Sequence, residues 1–390
     1  MLWPREHFRV AFKQVVSDAI DTHGASVLLL VALDVDSIAA VSILTSLLQA
    51  ELVAYSMVPV AGYKQMAAMT FSSEIRSIFL INCGAMIDVY STLKLTDQKV
   101  YVIDSHRPLH LANVYDRHGT VVLFDDEAPA ATLTFELASQ LNMATADKVW
   151  LAIVGLTKQF VAQQIDADNY NMLVQKFQDE VLALPSNGGS NDVVHDVDGT
   201  VLPTGKDELE VFLARMGLSL KECQQSSSTR SCVLLERGMA MAMQLQQAVV
   251  TLGVSILDRK LIVRVKHFRF VCLRLSEEEE HLCGHPSTLS RLALFLVDVH
   301  REQGKWIGKH AAPFVLIAHI KARNVYLVVG VTCPERAGDI HRNTLGTAFA
   351  LAAAETGAAS TYDGFETTVM ELHMDDINVF VEQLHNVMDA

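Results

Sequence analysis

Positive charge is scarce in this chain: 31 Lys and Arg stand against 45 Asp and Glu, a formal net charge of −14 over 390 residues. Such a surface repels a polyphosphate at long range, which argues against tight unaided binding to bulk nucleic acid. Long apolar runs are missing as well. Even VLLLVAL (27–33) is soon followed by acids and falls far short of the roughly 20 residues needed to span a bilayer. The opening MLWPREHFRV has neither an apolar core nor a small-residue cleavage site, so no secretory signal is expected. The six cysteines include no Cys-x-x-Cys pair, which points to free thiols in a reducing compartment. No Gly-x-x-x-x-Gly-Lys-Ser/Thr loop occurs, so no P-loop ATPase is expected, and neither repeats nor sustained heptads are present.

Half of the residues are hydrophobic and 19% are charged, the balance of a folded globular protein of two domains or slightly more. After an amphipathic helix at about 4–22, short apolar runs alternate with helical patterns. VLLLVAL (27–33) leads into DSIAAVSILTSLLQAEL (36–52), and YSMVPVA (55–61), IFLINC (78–83), KVYVID (99–104) and TVVLF (120–124) follow. Alternation of this kind predicts an α/β fold with a parallel sheet. Helices at about 128–143 and 146–163 close this first domain, taken as residues 1–184. Residues 185–231 are rich in Gly, Ser, Asn, Asp and Pro and carry one short helix (206–217), which is linker chemistry. Residues 232–390 predict a smaller α/β domain with a mixed sheet, opening on a long helix and a strand pair.

Three strand ends carry the chemistry. VALDVDSIAA (31–40) delivers Asp34 and Asp36, FLINCGAM (79–86) delivers Asn82, and VYVIDSHRPLH (100–110) delivers Asp104 and His106, all to one edge of the sheet. That edge is where open α/β folds place their ligands, and acids converging with imidazole suit divalent metal and phosphoester chemistry. Each residue also has a plain structural reading. Asp36 reads as the N-cap of the helix that follows, whereas Asp34, one step back, is not needed for capping. Asp104 can bond its own turn, and Arg107 can neutralise the cluster.

Taken together the set resembles the DHH phosphoesterase superfamily, which includes RecJ-type exonucleases. There a first motif supplies His-x-Asp-x-Asp, a second an Asp and a third Asp-His-His, together holding two manganese ions. Asp34, Asp36, Asp104 and His106 match, but Ala32 stands in place of the first His, Asn82 in place of the bridging acid and Ser105 in place of the middle His. The superfamily's C-terminal Gly-Gly-His is absent. Two divalent ions about 4 Å apart need an anionic bridge, which an Asn carbonyl does not supply.

This pattern of loss resembles the cell division control protein 45 family. The similarity runs through residues 31–63, FLINCGAMIDV (79–89), IDSHRPLHLANVYD (103–116), VWLAIVGLTKQFV (149–161), ELEVFLARMGLSLKECQQ (208–225), TLGTAFALAAAETG (344–357) and TTVMELH (367–373). The resemblance implies a DHH-type first domain, a DHHA1-like second one, no cofactor and no enzymatic activity. It also implies a nuclear, non-catalytic subunit of the replicative DNA helicase that joins the minichromosome maintenance hexamer and the GINS complex in DNA replication, with single-stranded DNA or fork chromatin as a further contact and no membrane. The family's long acidic loop and its large helical insertion have no counterpart here, so the chain is a reduced member or an incomplete gene product. The alternative reading is a manganese-dependent single-strand exonuclease or phosphoesterase with a reduced metal site, helped by Asp125 or Asp126.

Weaker signals complete the inventory. Arg264, Lys266 and Arg274, with Phe268 and Phe270 between them, are placed on one strand face as candidates for single-strand contact; a two-sided strand with Phe on the core is the plainer reading. SEEEEH (276–281) reads as a solvated acidic turn, His281-x-Cys283-x-His285 as a fortuitous surface turn, and the methionines at 239, 241 and 243 as helix packing.

Overall fold

A computed structural model describes residues 2–20, 26–124, 128–183, 229–306, 312–334, 343–362 and 364–389. The expected helix at 206–217 and the acids Asp125 and Asp126 lie outside these residues. Two six-stranded sheets organise the described chain.

The first sheet comprises β1 (Leu2–Trp3), β2 (Val27–Ala32), β3 (Tyr55–Val60), β4 (Ser77–Ile81), β5 (Lys99–Ile103) and β6 (Val121–Phe124), in the order β1-β6-β5-β4-β2-β3. All five pairings are parallel. Strands β2, β4 and β6 are buried along their whole length, as VLLLVA, SIFLI and VVLF demand: apolar residues at nearly every position suit a strand covered on both faces. One face carries α1 (Phe8–Ile20), α2 (Val35–Ala50), α6 (Ala130–Gln140) and α7 (Ala146–Val161) around Leu29, Phe79 and Tyr101. The other carries the short α3 (Tyr63–Ala67), α4 (Val89–Leu93) and α5 (Leu111–Val114) around Leu30, Leu80 and Val102. Helix α8 (Ala167–Ala183), absent from the sequence reading, packs on α7.

The second sheet is mixed: β7 (Val263–Arg264), β8 (Arg269–Arg274), β9 (Phe314–Ile320), β10 (Val325–Val331), β11 (Ser360–Thr361) and β12 (Val369–His373), in the order β11-β12-β10-β9-β8-β7, with only β8–β9 parallel. The long α9 (Thr229–Asp258) and α11 (Pro286–Glu302) cover one face, α12 (Leu345–Thr356) and α13 (Ile377–Asp389) the other.

Three sequence readings are corrected here. The acidic run is a short helix, α10 (Glu277–Cys283): Ser276 and Glu279 close a reciprocal capping box, and four glutamates in the first turn favour the helix dipole. Met241 and Met243 do not pack; they are exposed on α9. The stretch Ala240–Asp258 of that helix is also long and apolar enough to cross a membrane, with 22% of it buried, although no unbroken apolar run announced it. Its Val249, Leu252 and Ile256 face is taken up by the core of the second sheet.

The contrast between the two sides of α9 is measurable. Met243→Gln should change stability by less than about 0.5 kcal/mol, whereas Leu292→Ala in the facing α11, fully buried, should cost about 2–5 kcal/mol. Paired urea melts of the two variants test this.

Candidate functional site

Strands β5, β4 and β2 are neighbours, so their carboxyl ends bring Asp104, Asn82 and the Asp34–Asp36 turn together as the sequence implies. The roles of the two acids in that turn are reversed from expectation. Asp34, in extended conformation, is the N-cap of α2: its carboxylate accepts from the Ser37 amide at 3.1 Å and from the Ser37 hydroxyl. Asp36 lies inside the helix and is fully buried. Its carboxylate reaches across to α6, where it accepts from the amides of Ala130 (2.9 Å) and Ala131 (3.0 Å). It therefore caps a helix, but one 94 residues further along the chain. Proline at the N-cap of α6 has no side chain to do this itself.

Two amide side chains complete the shell of Asp36. Asn82 donates from Nδ2 at 2.9 Å and Gln159, on α7, from Nε2 at 3.0 Å. Asn82 sits in the left-handed region, φ 53°, which Asn tolerates better than most residues. Its Oδ1 accepts from the Ser105 amide and hydroxyl, both at 3.1 Å, and Gln159 also donates to Ser105 Oγ at 2.6 Å. The positions that depart from the metal-binding pattern, Asn82 and Ser105, are thus joined to each other through neutral hydrogen bonds. Gln159 was not singled out from the sequence; it is a polar residue on an apolar helix face, a signal too common to stand alone.

Gly155 explains how α7 comes so close. A Cβ there would lie 2.4 Å from Asp36 Oδ1 and 2.6 Å from the Ala131 Cβ, so only glycine lets the helix pass over the carboxylate. Asp36 is held above the ordinary carboxylate value, first by burial and then by Asp34, against the lowering effect of the Asn82 and Ala131 hydrogen bonds.

Asp104 is equally committed. Its Oδ2 accepts from the amides of Gly84 (2.8 Å) and Ala85 (2.7 Å), and its Oδ1 from the His106 amide (2.9 Å) and from Nδ1 of the His106 ring (2.7 Å). Burial alone would raise Asp104; the His106 charge and these hydrogen bonds overcome it and hold the carboxyl below its ordinary range. Burial would lower His106, but Asp104, with Glu366 and Asp34, raises it above 6.5. Lys158 brings a fixed cation to the rim, 3.9 Å from Asp34. The donor set does not fit a pair of divalent ions. Asp36 and Asp104 each spend four hydrogen bonds on protein N–H groups, and Asn82 turns an N–H, not an acid, toward Asp36. Among the described residues no group of three or more His, Cys, Asp or Glu has the arrangement of a metal site.

The site opens onto a cleft of about 370 Å³ between the two sheets' domains, lined by Asp34, His106, Lys158, Arg291, Asn343 and Glu366 among others. Leu33, Val35 and Ile38 at its mouth are apolar and exposed.

The basic residues of the β7–β8 hairpin are not brought together. Arg264 lies opposite Arg269 in register, and Arg274, five residues on from Arg269, points to the other face of the sheet. Arg269 is buried beneath the Trp306 ring, 4.5 Å from its centroid, Lys266 is ion-paired to Asp389, and Phe268 is fully buried. His285 caps α11, accepting from the Ser287 amide, and Cys283 is in the core.

The fold agrees with comparisons to known proteins. A family model described as CDC45 matches residues 27–134, 127–204 and 226–387. The chain belongs to the CDC45 family. The "Cell division control protein 45 homolog" of Dictyostelium discoideum is 21% identical over 623 residues, covering 94% of this chain and 96% of that one. An alignment of that length against a 390-residue chain means that the relative carries long stretches without a counterpart here. The crystal structure of CDC45 from Entamoeba histolytica superposes with a TM-score of 0.62 at 17% identity, covering all of both chains. RecJ from Thermus thermophilus, crystallised with Mn2+, gives 0.56 at 14% identity, over 98% of this chain and 54% of RecJ. These two show a shared fold.

Two outcomes follow for the family's acid cluster. Gly155→Ala gains about 1 kcal/mol of helix propensity but should be net destabilising by about 1–3 kcal/mol through overpacking on Asp36, read as a lowered urea midpoint. Because the folded His106 pKa is raised, the stabilisation from its ion pair is complete below about 6.5 and is lost as pH rises through the higher folded value. Asp104→Asn should therefore shift the His106 titration downward, observable by NMR of the imidazole ring.

Proposed function

We propose that this chain acts in DNA replication as a non-catalytic subunit of the replicative helicase, a nuclear scaffold that joins the minichromosome maintenance hexamer to the GINS complex. Membership of the CDC45 family supports the replication role. The single observation that carries the non-catalytic reading is the Asp36 shell. The carboxylate is satisfied by Asn82, Gln159, Ala130 and Ala131, so the acid cluster of the DHH fold stabilises the first domain without a catalytic ion. Among the described residues, Ser105 does not restore a ligand either, since it is itself bonded to Asn82 and Gln159. What the cluster contributes is rigidity: it ties α2, α6, α7 and the ends of β4 and β5 at a single point. A scaffold needs that rigidity in order to present fixed surfaces to two partners. Contact with single-stranded DNA or fork chromatin belongs in this reading to the assembled complex, where partners supply the positive charge that this chain lacks.

Co-assembly tests the reading. The full chain, mixed with the minichromosome maintenance hexamer and GINS of the same organism on forked DNA with ATP, should elute as one ternary complex in size-exclusion chromatography. Manganese-dependent cleavage of single-stranded DNA that Asp104→Ala abolishes would overturn it.

A further inference from the structure

A short arm of the second domain, residues 364–368, packs against the first. Phe365 sets its ring edge-on to Tyr63, centroids 5.0 Å apart, and packs on the apolar cluster of Leu80 and Val102 beneath the first sheet. The next residue, Glu366, accepts from Gln164 Nε2 at 2.9 Å. Beside it, the Thr332 hydroxyl donates to Gln163 Oε1 at 2.7 Å. The back of the arm is pressed on α12: a Cβ at Gly346 would lie 2.8 Å from Thr367.

Gln163 and Gln164 belong to the turn that ends α7. The Gln164 amide donates to Gln159 O at 2.8 Å and the Gln163 amide to Phe160 O at 3.0 Å, with Gln163 left-handed at φ 57°. Glycine is the usual residue at this position of such a turn, because a Cβ is strained there. Here a glutamine bears the strain, and its side chain, like that of Gln164, crosses to the other domain. The same turn carries Lys158, which lies 3.9 Å from Asp34 and donates to Gln164 Oε1 at 2.7 Å, and Gln159, which donates to Asp36 and Ser105. Within seven residues, two side chains reach into the acid cluster and two reach across the cleft. An unbroken line of polar contacts runs Asp34, Lys158, Gln164, Glu366.

We propose that the α7 end turn and the 364–368 arm form a latch that holds the two domains closed over the cleft, and that the amide-filled acid cluster sets the position of that latch. The hydrogen bonds that Asn82 and Gln159 donate to Asp36 then have a second consequence: the site anchors the turn that fixes the domains relative to each other. The inference does not rest on the helicase reading; it holds for the isolated chain.

Hydrogen exchange on the full chain, read by mass spectrometry, tests it. Glu366→Ala and, separately, Gln163→Gly should each raise exchange in 364–368 by about tenfold, the effect of one lost hydrogen bond between domains, while β4 and β9 stay protected. Gln163→Gly is the discriminating variant, because glycine relaxes the local backbone: a purely local capping role predicts unchanged or slower exchange in both 158–164 and the arm, and that result would overturn the latch. Lys158→Met and Gln159→Leu, which act from the cluster side, should raise exchange in the arm as well. An arm that responds to Glu366→Ala but to neither of these would overturn the coupling to the acid cluster.

Discussion

Burying a carboxylate obliges a fold to surround it with positive charge or with N–H donors, and much of this molecule is arranged around how that is done for Asp36. Removing the ion from water costs several kcal/mol even after relaxation, and hydrogen bonds to a charged group each return about 1.5–3 kcal/mol. Asp36 receives four, from the first turn of α6, from the residue after β4 and from α7. Those donors come from three separate elements, so each must be held in place for the charge to be tolerated. The left-handed Asn82, the bare Cβ position at Gly155 and the proline that opens α6 are local features that become intelligible once the carboxylate is the fixed point.

The same constraint governs the neighbouring acid, Asp104. In a metal site, cations bind the acids and the acids need few other partners. Here amide nitrogens take that place, and Asp104 is shared between two backbone amides and the amide and ring of His106. The cluster has become a joint. Its outer end, at Lys158 and the turn beyond it, faces a second domain whose own core is independent of it.

Much of this was legible in the residues themselves. The run VLLLVA, apolar at every position, could only be a strand covered on both faces, and the ends of β2, β4 and β5 fell where the apolar runs stopped. Asp34, Asp36, Asp104 and His106 stood out because each follows an apolar run, and the resemblance to the DHH pattern grouped them. Less local features were misread. Asp36 passes for an N-cap because a cap and an N2 acid look alike in one dimension; Asp34 took that role. The strand face assigned to Arg264, Lys266 and Arg274 was broken by a hairpin turn between β7 and β8, which reverses the chain and removes a common face. The glutamate run became a helix because Ser276 and Glu279 cap it, a signal present in the sequence but outweighed by charge density.

The sequence by itself determined where the strands lie and which polar residues they carry to the sheet edge. It could do so because burial imposes short periods, two or 3.6 residues, that can be read within a single segment. Only the tertiary structure decided what surrounds those residues. The partners of Asp36 are 46, 94, 95 and 123 residues away in the chain, and the Gln164–Glu366 bond spans 202. No periodicity links such positions; they meet because helices packed over a sheet carry distant side chains to one point.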